Sequence, residues 1–187
     1  MTPEIQHLLK AAEEHMKKSL SHYDELFGKI RAGKATPALI EHLKVDYYGA
    51  PTPIKHVATF SIQDARTLLV QPYEPNLTKA IEKSIAEANL GLSVATDGKA
   101  VRVAFPSLTE EQRKRFVKQV KDLAEEGRVA IRNIRRDSLE DLRKLTKNGI
   151  PEDLVRKGQD ELQKLTDRYI SEIDRLAEAK EEELLTV

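Results

Sequence analysis

Cysteine and tryptophan are absent from this 187-residue chain, and tyrosine and phenylalanine together account for its 5% of aromatics. Without cysteine there is no disulfide framework and no thiolate ligand for a metal, a composition that fits a reducing compartment. A cytoplasmic location is therefore expected. Excess charge of either sign is also missing, because 31 Lys and Arg balance 31 Asp and Glu. No apolar run approaches the roughly 18 residues of a membrane helix. The start, Met1-Thr2-Pro3-Glu4, lacks the basic and apolar stretches of a secretory signal. No HExxH pair, GxSxG elbow or GxGxxG loop occurs. What is present is charge, at 33%, and enough hydrophobic residues, at 40%, to build a core.

Glycine and proline are scarce in the outer parts of the chain and concentrated between Gly28 and Pro106. Each is costly in a helix interior, by about 1 and 3 kcal/mol, so the outer segments are free to form long helices. The first opens with Thr2 as N-cap and Pro3 at the first helical position. Ile5, Leu9, Ala12, Met16, Leu20, Tyr23, Phe27 and Ile30 then recur at helical spacing. The second starts at Thr109, with Gln112 placed to complete a capping box. It carries Phe116, Val120, Leu123, Ile131, Ile134, Leu142 and Leu145 on one face. Asn148-Gly149 is a stop signal, and Pro151-Glu152-Asp153 restarts a third helix. Its stripe is Leu154, Leu162, Leu165, Tyr169, Ile173, Leu176 and Leu184. No such helix buries its stripe alone, so the three are expected to form a long antiparallel bundle. Gly127 falls on the apolar face, where it would let a neighbouring helix approach closely.

Between the first two helices the period changes. Leu43 to Tyr47 alternates and ends in a Tyr48-Gly49 turn, while Val57 to Ile62 and Thr67 to Val70 are β-branched and apolar. Leu77 to Leu90 reads as a short helix stopped by Gly91. Asp97-Gly98 is a hairpin signal before the alternating Val101 to Phe105. The expected class is α+β: residues 1–30 and 106–187 form the three-helix bundle, and residues 31–105 form an inserted small β/α/β domain. Hinges are expected near 31–33 and 105–106, at Ala32, Gly33, Phe105 and Pro106.

Most candidate chemistry fails on inspection. Gly28 to Ala35 approaches a phosphate-binding loop, but Ala35 stands where Ser or Thr must bind magnesium, and a helix precedes it instead of a strand. The histidines, with no cysteine to join them, make no zinc set, so no metal ligand and no catalytic residue is assigned. One charge pattern stands out. At about 100° per residue, Arg128, Arg132, Arg135 and Arg136 share a sector of the second helix with Lys114, Lys118, Lys121, Arg143 and Lys147, turned away from its apolar face. The planar guanidinium fork suits phosphate, so this strip suits RNA backbone or an acidic protein. The bland alternative is a helix solubilised by i,i+4 ion pairs. Few aromatics argue against base-stacking recognition of single strands.

Several stretches together resemble the bacterial ribosome recycling factor family. They are Ile30 to Pro37 (IRAGKATP), Val45 to Pro53 (VDYYGAPTP), Arg66-Thr67-Leu68, Pro106 to Lys114 (PSLTEEQRK), Gly127 to Asp137 (GRVAIRNIRRD) and Gln163 to Asp167 (QKLTD). The resemblance spans essentially the whole chain. It implies an L-shaped molecule that binds the post-termination ribosome. With elongation factor G and GTP it would split that ribosome into subunits and release mRNA and tRNA. It implies large-subunit rRNA contact by Arg128, Arg132, Arg135, Arg136 and Arg31, the last matching a family arginine at the elbow. It also implies no cofactor and no covalent chemistry by this chain, and a monomer is expected. Lys34 and Gln112 stand where many members carry arginine. The rival reading is a coiled-coil adaptor or chaperone whose arginine strip meets an acidic protein.

Overall fold

The computed structural model describes residues 1–186. It divides into two compact units, Met1–Ile30 with Arg115–Val187 and Arg31–Lys114.

The first unit is a bundle of three helices. Helix α1 spans Pro3–Gly28, helix α3 Glu110–Lys147 and helix α4 Glu152–Leu185, while α2 belongs to the second unit. At 38 residues α3 is about 57 Å long. The caps are those the sequence signals. Thr2 Oγ1 accepts from the Ile5 amide at 3.3 Å. Thr109 Oγ1 accepts from the Gln112 amide at 3.1 Å, and Gln112 Oε1 accepts from the Thr109 amide at 3.0 Å, a reciprocal capping box. At the far end of α3, Gly149 takes φ +90°. Its amide bonds to Thr146 O and that of Ile150 to Leu145 O, the paired bonds of a Schellman stop.

Packing runs up, down, up. Near one end Gly158 of α4 faces Ile5 of α1 and Leu142 of α3, and further along Gly127 of α3 faces Ile173 of α4 and Tyr23 of α1. A Cβ added to Gly127 would stand 3.1 Å from Ile173 Cδ1, and one added to Gly158 only 2.9 Å from Ile5 Cγ2. Both glycines therefore let three helices approach at one level. The buried line of α4 runs through Val155, Gly158, Leu162, Thr166, Tyr169, Ile173, Ala177 and Leu184. Leu154, Leu165 and Leu176 sit half-buried on its shoulders. Thr166 is buried because its hydroxyl is satisfied within the helix, donating to Leu162 O at 2.8 Å.

The second unit holds six strands: β1 Lys44–Tyr47, β2 Ala50–Pro53, β3 Ala58–Asp64, β4 Thr67–Pro72, β5 Ser93–Asp97 and β6 Ala100–Ala104. β1 and β2 form a hairpin, and the others an antiparallel sheet in the order β3-β4-β6-β5. Helix α2, Thr78–Glu87, follows a 3-10 turn at Pro75–Leu77, so it is shorter than the sequence pattern implies. It packs Ile81 and Ile85 into a core with Ile40, Ile54, Leu68, Val70, Val101, Val103 and Phe105. Strand β2 goes unrecognised in the sequence because it contains Pro51 and Pro53. They pair with Asp46 and Lys44 at every second position, where the ladder asks for no amide. The β1–β2 turn places Tyr48 at φ +52° and Gly49 at φ +84°, the double left-handed conformation of a type I′ turn.

Candidate nucleic-acid interface

Helix α3 displays the arginine strip because its buried positions, Val120, Ala124, Gly127, Ile131 and Leu142, fix its rotation. Arg132 and Arg136 are exposed, Arg128 and Arg135 half-buried, and Lys118, Lys121, Arg143 and Lys147 exposed along the same side.

The four arginines are not equivalent. Arg128 reaches across to α4, its Nη1 donating to Asp174 Oδ1 at 2.6 Å. Its Nε and Nη2 both donate to Glu125 Oε2, at 3.2 and 3.0 Å. Burial lowers the pKa of this guanidinium, but the hydrogen bonds to Asp174 and Glu125 outweigh it and hold the pKa above its ordinary value. Arg132 lies 3.8 Å from the other Glu125 oxygen, with half its side chain exposed. Among the described residues Arg135 and Arg136 make no ion pair. Their forks remain free for an outside anion. An open groove lined by Tyr23, Asp122, Glu125, Glu126 and Val129 borders the strip with carboxylates. A polyanion laid on α3 is thus attracted by the strip and repelled on that flank.

This inequality separates folding from binding. Replacing Arg128 with alanine is expected to lower stability by about 1 kcal/mol, because a partly buried, doubly paired cation leaves Asp174 unpaired. Arg136→Ala is expected to stay within about 0.5 kcal/mol of the parent, as at ordinary surface sites. Urea denaturation of the two variants side by side checks the difference, and equal stabilities would contradict it.

Arg31 is not on the strip. It begins the second unit, and its Nη1 donates to the Leu90 carbonyl beyond α2 at 2.9 Å. Ala32, Gly33, Phe105 and Pro106 also lie in the second unit. Gly33 is buried at φ +78°, where a Cβ would stand 3.4 Å from Leu108 Cγ and from the Leu108 amide nitrogen. Phe105 is buried in the sheet core, and Pro106 is exposed. Both chain passages are tied to the β3–β4 turn. The Ala35 amide bonds to Ala65 O at 2.9 Å, and the Phe105 amide to Arg66 O at 2.7 Å. The division between units in the second passage falls within α3 itself, between Lys114 and Arg115.

The tyrosine pair in the Val45 to Pro53 stretch has a local role the sequence does not reveal. Tyr47 and Tyr48 donate to the two oxygens of Glu74, each at 3.0 Å, with rings edge to face at 4.6 Å. Hydrogen bonding to that carboxylate raises both phenol pKa values. The pair clamps the β1–β2 turn to the segment before α2. Among the described residues, no group of three His, Cys, Asp or Glu side chains is placed to hold a metal. No helix among them is long and apolar enough to cross a membrane.

The fold is thus a three-helix bundle with a cationic strip along one helix and a sheet-and-helix insert. The family model for the ribosome recycling factor matches residues 23–185. The chain belongs to that family. A ribosome-recycling factor of Desulforamulus reducens is 45% identical over 183 residues, covering 98% of this chain and 100% of the relative. A solution structure of a ribosome recycling factor superposes with a TM-score of 0.84 at 40% identity, covering both chains completely. A T. thermophilus recycling factor, bound with E. coli elongation factor G to the E. coli post-termination complex, superposes with a TM-score of 0.72 at 46% identity, again over both whole chains.

Proposed function

We propose that this chain binds the post-termination ribosome and, with elongation factor G and GTP, promotes its separation into subunits with release of mRNA and tRNA. Full-length likeness to a recycling factor placed with elongation factor G on a post-termination complex carries this reading. The chain works in the cytoplasm as a monomer and does no covalent chemistry, GTP hydrolysis belonging to the elongation factor. Its direct check is light scattering from ribosomes mixed with the chain, elongation factor G and GTP. Scattering should fall as subunits separate and stay constant when the chain is left out. Constant scattering in the complete mixture would refute the reading.

The arginine strip lies on large-subunit rRNA in this proposal. Arg132, Arg135 and Arg136 meet phosphates through their open forks, and Arg128 contributes less because Asp174 and Glu125 already neutralise it. Contacts to backbone suit a helix face without stacked aromatics. Residues 1–30 and 106–187 form the anchoring bundle domain, and residues 31–105 an insert that turns about the passages at Ala32–Gly33 and Phe105–Pro106. Few torsions then need to change for one domain to move against the other. Joining Ile30 to Ser107 through a short Gly/Ser linker should leave a helical protein that melts cooperatively. A molten product in circular dichroism would mean that the bundle depends on the insert.

A further inference from the structure

The chain leaves the bundle through the Ile30–Arg31 link, and it is gripped on both sides. Helix α1 ends at Gly28, so the Ile30 carbonyl lies beyond the last turn with no intrahelical partner to meet. It accepts instead from Lys180 Nζ of α4 at 3.2 Å. That lysine side chain is only 13% exposed, and Glu183 Oε2 lies 3.1 Å from the same ammonium. The stem is packed, the head is held, and the charge lies favourably at the carbonyl end of a helix.

On the other side, the Arg31 guanidinium donates to Leu90 O at 2.9 Å. The next residue is Gly91 at φ +74°, and a Cβ there would stand 2.9 Å from Arg31 Nη1. The space a side chain would need is taken by the guanidinium. Arg31 Nε is buried without a hydrogen-bond partner, a costly state for a cation, so the surrounding packing and the Leu90 carbonyl hold it in place.

We propose that Lys180 and Arg31 are positioning residues that grip the two ends of this link, each within its own unit, and confine the turning of this first passage to one bond. The peptide group is planar, so the Ile30 carbonyl and the Arg31 amide move together with the bundle while Lys180 holds that carbonyl. The Arg31 side chain moves with the insert while Leu90 holds it. What turns is the N–Cα bond of Arg31. The inference rests on the hinge under Proposed function and deepens it, moving the turning point of its first passage from Ala32–Gly33 to this bond while the second passage adjusts with it.

The test needs no ribosome. Because the chain has no cysteine, Lys79→Cys on α2 and Glu140→Cys on α3 take spin labels uniquely, and both positions are exposed. Double electron–electron resonance then reads the spread of distances between insert and bundle in the full chain. Lys180→Met and Arg31→Met should each widen that spread about twofold, while Lys180→Arg, which keeps a donor, should leave it unchanged. Should Lys180→Met melt in circular dichroism, Lys180→Leu, which likewise has no donor, is read in its place. An unchanged spread in either released variant would overturn the paired grip, as would a spread in Lys180→Arg as wide as in Lys180→Met. Splitting activity is assayed separately, so loss of the recycling reading and loss of the grip are different results.

Discussion

With Arg132, Arg135 and Arg136 all changed to alanine, the chain should keep its melting temperature and lose much of its salt-sensitive hold on the ribosome. The first half follows from what these side chains touch. Arg132 has only a long contact to Glu125, and Arg135 and Arg136 have no ion pair among the described residues. Alanine is also the better helix former, which offsets small losses. The second half follows from counterion release. Each phosphate contact contributes roughly 0.9 to the slope of log affinity against log salt for duplex-like RNA, and somewhat less for single strands. Three lost contacts should flatten that slope by about 2 to 3. Between 50 and 200 mM salt the parent should then weaken by roughly 20- to 60-fold more than the variant. Titrations of purified ribosomes across that range make the measurement. A parental slope with parental affinity would remove rRNA from this face and leave an acidic protein as the partner to seek.

What can be read in advance follows the range of the interactions. Thr109 and Gln112, three residues apart, announce the start of α3, and Asn148-Gly149 its end, because caps are local chemistry. The rotation of α3 is legible too, since its large apolar residues already oppose the strip. Inequality within the strip is not. Arg128 is half-neutralised by Asp174, 46 residues further along the chain, and only the packing of α3 on α4 brings them together. Arg31 looks like one more cation for RNA in the sequence, and its bond to Leu90, 59 residues away, is what sets it apart. Strand β2 is hidden by its prolines, and the Glu74 clamp on Tyr47 and Tyr48 by the distance between them in sequence. In α4 an apolar count favours Leu154, Leu165 and Leu176, but the closest approach of three helices selects small residues. Gly158 stands four residues from both Leu154 and Leu162, and that helical spacing is the available clue.

Gly158→Val should strongly destabilise the bundle core. The position is buried, and a Cβ alone would stand 2.9 Å from Ile5 Cγ2 and 3.4 Å from Leu142 Cδ2. Neither neighbour can yield easily. Ile5 and Leu142 are fully buried, and the Ile5 contact is made by a branch at Cβ, which moves only with χ1 or the backbone. Valine adds two further methyl groups and the χ1 restriction of a β-branched residue. Overpacking of this kind costs about 3 kcal/mol, the upper part of its usual range. In a chain of this size that lowers the melting temperature by roughly 6 to 12 °C. Gly158→Ala should fall much less, because about 1 kcal/mol of helix propensity is regained. The contact itself is tested by a double-mutant cycle with Ile5→Ala, which removes Cγ2. If the clash is with Ile5, Gly158→Val should cost at least about 1 kcal/mol less in that background, within the coupling expected for residues in contact. Strictly additive losses would place the strain elsewhere, and a Gly158→Val chain melting with the parent would show that the three helices do not meet as closely as position 158 requires.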